Sequence, residues 1–110
     1  MASIIPTLLF IGNTQSGAIY SAPATAGSYS IVKSINVCNT GTGSEAFSLN
    51  LVTAGQNTNT ANAILGNIVL SGGNVFSYET SIVMPAGSQL FISQPSNNLT
   101  FTISGVEYDV

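Results

Sequence analysis

The chain has 110 residues but very few charged side chains: one Lys, four Asp or Glu, no Arg and no His. A single cation cannot neutralise a row of phosphates, so the composition excludes a nucleic-acid-binding surface. Without imidazole or guanidinium groups the chain lacks the usual general base, and we expect no enzyme activity. Hydrophobic residues make up 45% of the chain, which is too many for intrinsic disorder and enough for one folded core.

Turn-forming residues divide the chain into short segments in which apolar and polar residues alternate. Leu99, Phe101 and Ile103, for example, alternate with Thr and Ser. A period of two is typical of strands with one buried face. The pattern predicts strands near residues 4–11, 18–22, 28–39, 45–53, 64–71, 74–80, 88–93 and 99–107.

Strands with this spacing predict an all-β fold, a single antiparallel β-sandwich that is jelly-roll-like and comprises residues 1–110. Helix is expected in less than about a tenth of the chain, well below the usual share. Residues 54–63 are rich in Asn and Thr and are expected to form an exposed loop with room for one helical turn.

The N-terminal residues 1–11 are apolar, contain Pro6, and have no basic residue ahead of the apolar run. We interpret them as a strand and not as a signal peptide. No apolar run approaches the roughly 18 residues of a membrane span, so no membrane association is expected. This strand is expected to close the sandwich edge, or to be exchanged between subunits and used for assembly.

The alternation also predicts which side chains form the core. The positions on the inward face of the strands are Phe10, Tyr20, Ile31, Ile35, Val37, Phe47, Leu49, Leu51, Ile68, Leu70, Phe76, Tyr78, Leu90, Ile92, Leu99, Phe101 and Ile103.

Lys33 is the only cation, and by strict alternation it lies on the same face as Ile31 and Ile35. An unpaired ammonium in the core would cost several kcal/mol, so the side chain must be a special buried or paired charge. Two solutions are open. The stem can pack at a sheet edge with the amine in water, or the amine can pair with Glu45, Glu79 or a neighbouring subunit.

No catalytic residue, cofactor or metal site is predicted. Glu107 and Asp109 share strand parity but lie near the C-terminal end, where a solvated tail is the favoured interpretation over a weak cation site. Cys38 has no partner cysteine. It is expected to be a half-buried structural thiol, in keeping with synthesis in a reducing cytoplasm.

So few charges leave little repulsion to oppose association, which favours a homo-oligomer, with a trimer as the favoured form. Val52 and Phe91 are off the core parity of their strands, and Phe91 could cover a sheet edge or contact a second subunit. The candidate interface residues are Ile4, Ile5, Leu8, Phe91 and Tyr108.

Two segments resemble a class of small virion proteins of tailed bacteriophages. They are residues 19–24 (IYSAPA) and residues 30–40 (SIVKSINVCNT), followed by the turn at 83–88 and the close at 104–107. The resemblance spans roughly residues 15–107. The resemblance implies a structural β-sandwich that decorates capsids or is attached to the neck, tail or baseplate. It implies no catalytic residue.

Three functions are compatible with these features. The first is a capsid decoration (cement) protein that binds between major capsid subunits. The second is a neck, tail or baseplate accessory of the same virion. The third is a carbohydrate-binding receptor module, which would need a shallow groove with exposed Trp or Tyr, whereas the chain has no Trp and four scattered Tyr. The first two place the protein in the virion, after synthesis in the cytoplasm of a bacterial host.

Overall fold

The computed structural model describes residues 4–13, 16–58, 60–94 and 96–110. The strands are β1 (Ile4–Gly12), β2 (Ser16–Ser21), β3 (Tyr29–Asn39), β4 (Glu45–Val52), β5 (Ala63–Leu70), β6 (Val75–Pro85), β7 (Gln89–Ser93) and β8 (Leu99–Tyr108).

The predicted strands are all present, and their ends agree closely with the prediction except at β6. This strand continues to Pro85, beyond the predicted end at residue 80, because Ile82 and Met84 extend its inward alternation. The helical content of the described residues is one 3-10 turn, Thr60–Asn62, in the predicted loop. No described helix is long and apolar enough to cross a membrane.

The strands form two four-stranded antiparallel sheets. Sheet A has the order β1-β8-β3-β6 and sheet B the order β2-β7-β4-β5. Each strand of the first half pairs with its counterpart in the second half: β1 with β8, β2 with β7, β3 with β6 and β4 with β5. The chain is thus one long hairpin whose two halves are wrapped over each other, which is a jelly roll and confirms the predicted fold class.

The core lies between the two sheets and is organised around Phe47. Its ring packs edge-on against Phe101 of the opposite sheet, with centroids 5.4 Å apart, and against Phe76 at 6.0 Å.

The predicted core residues lie in or against this core, with the exception of Ile31. The core also contains residues that the alternation did not predict, namely Leu9, Ala22, Val32, Leu65 and Met84.

Ile31 lies outside the core because β3 contains a β-bulge. The pairing of β3 with both neighbours shifts between Val32 and Ser34, so the alternation reverses there. Val32 fills the core position with no exposed surface, and Ile31 lies on the outer face. Lys33 is therefore exposed and not on the core face, and its Nζ donates a hydrogen bond to Ser81 Oγ at 2.7 Å. The predicted core-facing position of Lys33 is wrong. Lys33 is exposed, as the alternative with the amine in water expected, but β3 is an interior strand of sheet A and not a sheet edge.

The bulge depends on a glycine in the next strand. Gly105 of β8 pairs with Val32, and a Cβ added to Gly105 would lie 1.9 Å from the carbonyl oxygen of Ile31. Only glycine lets the two backbones approach so closely.

A buried asparagine fastens the loops at one end of the sandwich. Asn39 has no exposed surface, and its Nδ2 donates to the carbonyl oxygens of Gly43 and Leu70, each at 2.9 Å. Its Oδ1 accepts a hydrogen bond from the backbone N–H of Gly41 at 2.9 Å. One side chain thereby ties the β3–β4 loop to the end of β5.

Candidate assembly surface

The outer face of sheet A carries a row of apolar residues, one from each strand. The register places Pro6 opposite Val106, Val106 opposite Ile31, and Ile31 opposite Val83. The alternating positions Ser30, Val32 and Met84 are buried, so Ile31 and Val83 point away from the core. Adjacent strands are about 4.8 Å apart, so these side chains form a continuous ridge across the sheet.

A second apolar row lies beside the first. Tyr108 of β8 pairs with Tyr29 of β3, and Tyr29 pairs with Pro85 of β6. The two tyrosine rings stack with centroids 5.0 Å apart and an interplanar angle of 25°. We name the two rows together the apolar half-face, which consists of Pro6, Tyr29, Ile31, Val83, Pro85, Val106 and Tyr108.

The other half of the same face is mainly polar, but it includes the exposed side chains of Leu8, Ile11 and Val75. Ser104, Ser34 and Glu79 form the next row. Beyond them, Ser77 Oγ donates a hydrogen bond to Asn36 Oδ1 at 2.6 Å. The apolar half-face therefore borders polar residues along β8, β3 and β6, and an apolar patch with a polar border is typical of an interaction site.

The inner side of the same strands holds a polar network. Tyr20 Oη of sheet B donates a hydrogen bond to Glu107 Oε2 at 2.5 Å and lies 2.6 Å from Ser30 Oγ. Burial, followed by the hydrogen bond to Glu107, raises the pKa of Tyr20 to about 12. The carboxylate of Glu107 lies between the sheets, so its predicted place in a solvated tail is wrong.

Asp109 is also fastened, which holds the end of β8 in place. Ser28 Oγ donates a hydrogen bond to Asp109 Oδ1 at 3.3 Å. The same Ser28 oxygen accepts a hydrogen bond from the backbone N–H of Val110 at 2.9 Å. Tyr108 lies between these anchored residues, so its ring presents a fixed surface to its surroundings. Within the described ranges, no group of three His, Cys, Asp or Glu side chains could hold a metal ion.

The structure brings together two of the predicted interface residues. Leu8 is 56% exposed and lies on the outer face of sheet A, opposite Ser104, at the border of the half-face that contains Tyr108. The backbones of Ile4 and Ile5 pair with those of Tyr108 and Glu107, while their side chains lie outside the described structure.

The remaining candidates lie on the outer face of sheet B. Phe91 is half-buried in β7, opposite Ala18 and Asn50. The apolar half-face is on the other sheet, so Phe91 is not part of it. Val52 lies at the outward position of β4 that the sequence predicted, but it is 3% exposed and unavailable for contact.

Cys38 is half-buried in β3 of sheet A and has no disulfide partner, in agreement with a structural thiol.

Sequence reasoning missed most of the half-face. Ile31 was placed in the core, and Tyr29, Val83 and Val106 were not singled out. The signal that could have corrected Ile31 is Gly105, because a glycine within a strand often marks a bulge or a close backbone approach.

No protein-family model matches the sequence, and no curated protein sequence matches it significantly. Its fold is similar to part of the particle chains of infectious bursal disease virus. In the Gx strain the TM-score is 0.53 at 15% identity, over 97% of this chain and 31% of the viral chain. For a chain of the T13 viral particle, the TM-score is 0.51 at 14% sequence identity, over 97% of this chain and 30% of the viral chain. For a chain of the T=1 particles derived from the virus, the TM-score is 0.50 at 14% identity, over 97% of this chain and 31% of the viral chain.

These comparisons show a shared fold. The chain spans about a third of the length of the viral chains that it matches. Jelly rolls are found in viral capsid proteins and also in lectin domains, so the surfaces of this chain must distinguish between roles.

Proposed function

We propose that the chain is a non-enzymatic structural protein of a virus particle, and specifically a capsid decoration protein of a tailed bacteriophage. The observation that carries this proposal is the apolar half-face, which exposes stacked tyrosines and branched aliphatic residues. The jelly-roll fold shared with viral particle chains and the resemblance of residues 15–107 to phage virion proteins support it.

The occupant of the half-face in this proposal is a second copy of the chain, in a trimer. A patch of this kind needs no complementary charge, and the chain has only one cation to offer. The two rows span roughly 15 by 10 Å, given the spacing of strands and residues in a sheet. In this proposal the two rows form the apolar centre of the contact, which polar residues surround. Ser104, Ser34 and Glu79 supply such residues, while Leu8 extends the apolar surface on β1.

The activity in this proposal is mechanical. A trimer bound between major capsid subunits adds buried contact to the shell and stabilises it by mass action as occupancy rises. Attachment depends on apolar burial and on hydrogen bonds from Ser, Thr and Asn, and no chemical step occurs.

The deciding experiment is the copy number in purified particles, measured by quantitative mass spectrometry against the major capsid protein. A decoration protein is expected in copy numbers on the order of hundreds, because it follows the symmetry of the shell. A few tens of copies would instead place the protein in the neck, tail or baseplate. Absence from particles would overturn both assignments.

A further inference from the structure

The outer face of sheet B carries a feature that the proposed structural role does not use. Three adjoining hollows have volumes of about 300, 440 and 250 Å³. The first two share Ser48, Asn67 and Ser93, and the last two share Asn50, Thr58 and Ser93. They are therefore one continuous trough, and its size lies in the range of small-molecule sites, about 300 to 1,000 Å³.

The floor of the trough contains a row of hydroxyl groups. Ser16 of β2 pairs with Ser93 of β7, and Ser93 pairs with Ser48 of β4. At the strand spacing of about 4.8 Å, three hydroxyls stand side by side. Each can both donate and accept a hydrogen bond.

The next row of the floor adds an aromatic ring. Phe91 lies between Ala18 and Asn50 and lines the trough beside Ser93. A flat apolar ring next to hydroxyl and amide groups offers stacking and directed hydrogen bonds within one site.

The walls of the trough are held in place by hydrogen bonds. Asn50 Nδ2 donates to Asn62 Oδ1 at 2.7 Å, and Asn62 Nδ2 donates to the carbonyl oxygen of Asn57 at 2.8 Å. These bonds fasten Asn57 and Asn62, and with Asn57 its neighbour Thr58, at one side of the trough. On the other side Asn67 has a φ of 49°, and its backbone N–H donates to Ser48 Oγ at 3.0 Å.

None of the residues that line the trough is charged. A phosphate, carboxylate or sulfate would find no cation here, and a purely apolar ligand would leave the hydroxyl row without water or partners, at a cost. A neutral sugar fits both rows, because its C–H face stacks on an aromatic ring while its hydroxyls pair with serine and asparagine.

We propose that this trough binds a neutral carbohydrate, with a sugar ring stacked on Phe91 and its hydroxyls bonded to Ser48, Asn50 and Ser93. The ring differs from the Trp or Tyr that the sequence led us to require. Tyr29 and Tyr108 lie on the opposite sheet, and Phe91 takes the stacking position. The proposal concerns sheet B alone and does not depend on assembly through sheet A.

The test is a titration of the ¹⁵N-labelled protein with neutral hexasaccharides, followed by two-dimensional NMR. The probes are maltohexaose, cellohexaose, chitohexaose and a mannohexaose, with a sialylated and a sulfated oligosaccharide for comparison. We expect at least one neutral probe to shift the signals of residues 16–18, 48–50, 66–67 and 91–93, with a Kd between about 0.1 and 10 mM for a single weak site.

Variants sharpen the assignment. Phe91→Ala should weaken binding about tenfold, which corresponds to about 1.4 kcal/mol, and Phe91→Tyr should preserve it. Phe91→Leu serves as the second variant if Ala unfolds the domain, since Leu keeps apolar bulk but removes the ring. Ser93→Ala should weaken binding severalfold. Ser77→Ala, on the outer face of sheet A, is the matched control and should leave the Kd unchanged.

Three outcomes would overturn the proposal. They are the absence of any shift with all neutral probes at about 10 mM, the weakest affinity considered, shifts that map to sheet A, and binding of the charged probes alone.

Discussion

The apolar half-face of sheet A and the trough of sheet B have contrasting chemistry although they share one core and the same scarcity of charge. Sheet A presents aliphatic side chains and a tyrosine stack, and sheet B presents a serine row in a trough with pinned walls. The difference shows that a charge-poor surface is not uniform: without ionic groups, the distribution of rings and hydroxyls decides which face can exclude water and which must keep polar partners.

Removing the shared core should abolish both faces together, which is the largest effect expected. Phe101→Ala takes away a fully buried ring that packs on Phe47 and should lower the free energy of unfolding by about 3–5 kcal/mol. Urea denaturation measures it. Thr102→Ala, at the next, outward-facing position of β8, is the control and should change stability by less than about 0.5 kcal/mol. Equal losses for the two variants would contradict the placement of the core.

Gly105→Ala should damage sheet A selectively. The added methyl would collide with the carbonyl oxygen of Ile31, so β3 and β8 must separate or realign at the bulge, at a cost of about 1–3 kcal/mol or more. NMR signals from the half-face should shift more than those from the trough. Gly43→Ala, where an added Cβ meets nothing within 4 Å, is the matched control. A neutral Gly105→Ala would mean that the close approach at the bulge is not required.

A charge in the half-face should break self-association and leave the fold intact. Val83 is 58% exposed, so Val83→Asp should barely change stability, while a buried unpaired carboxylate would weaken a subunit contact at least about tenfold. Analytical ultracentrifugation should show a shift towards monomer. Ser77→Asp in the polar half of the face should not have this effect. Unchanged association of Val83→Asp would remove the half-face from the interface.

Attachment to particles should be insensitive to salt, because few ion pairs exist to be screened. Particles are expected to keep the protein through a wash at about 1 M salt, where the Debye length is roughly 3 Å, and to release it in mild urea, which weakens apolar burial. Gel analysis of the washed particles measures retention. Release by salt at neutral pH would show that the contact is electrostatic.

The last prediction concerns the network beneath the half-face at alkaline pH. The pKa of Tyr20 is raised from 10.0 to about 12, so between these values the unfolded chain binds fewer protons than the folded one, and stability falls as pH rises. The contribution is fully present below pH 10 and is lost through about pH 12. Tyr20→Phe should flatten this part of the curve relative to the unaltered protein in urea melts from pH 9 to 12. Parallel curves would exclude the network as the source.

Alternation along the sequence was sufficient to predict the eight strands and most of the core, because both depend on local spacing. Ile31 and Lys33 were misplaced because a bulge is a property of strand pairing, and the pairing of β3 with β8 joins distant parts of the chain. Glu107 was misplaced for the same reason, since its partner Tyr20 lies 87 residues away.

Neither surface could be recognised without knowing the register in which the strands pair. The sequence offered Leu8, Phe91 and Tyr108 as interface candidates, but it did not indicate that Leu8 and Tyr108 share a face from which Phe91 is excluded. The serine row likewise joins residues of three separate strands, and no local pattern marks it.

The wrapped-hairpin topology has a consequence for how the protein is made. Among the described strands β1 lies earliest in the chain, and its partner in sheet A is β8, which lies latest. Until β8 has been synthesised, the apolar edge of β1 lacks this partner. Pairing over so many residues is slow to form, so the nascent chain spends that interval open to capture by a neighbouring chain. The delay that favours aggregation would also allow two chains to exchange β1 before either has folded.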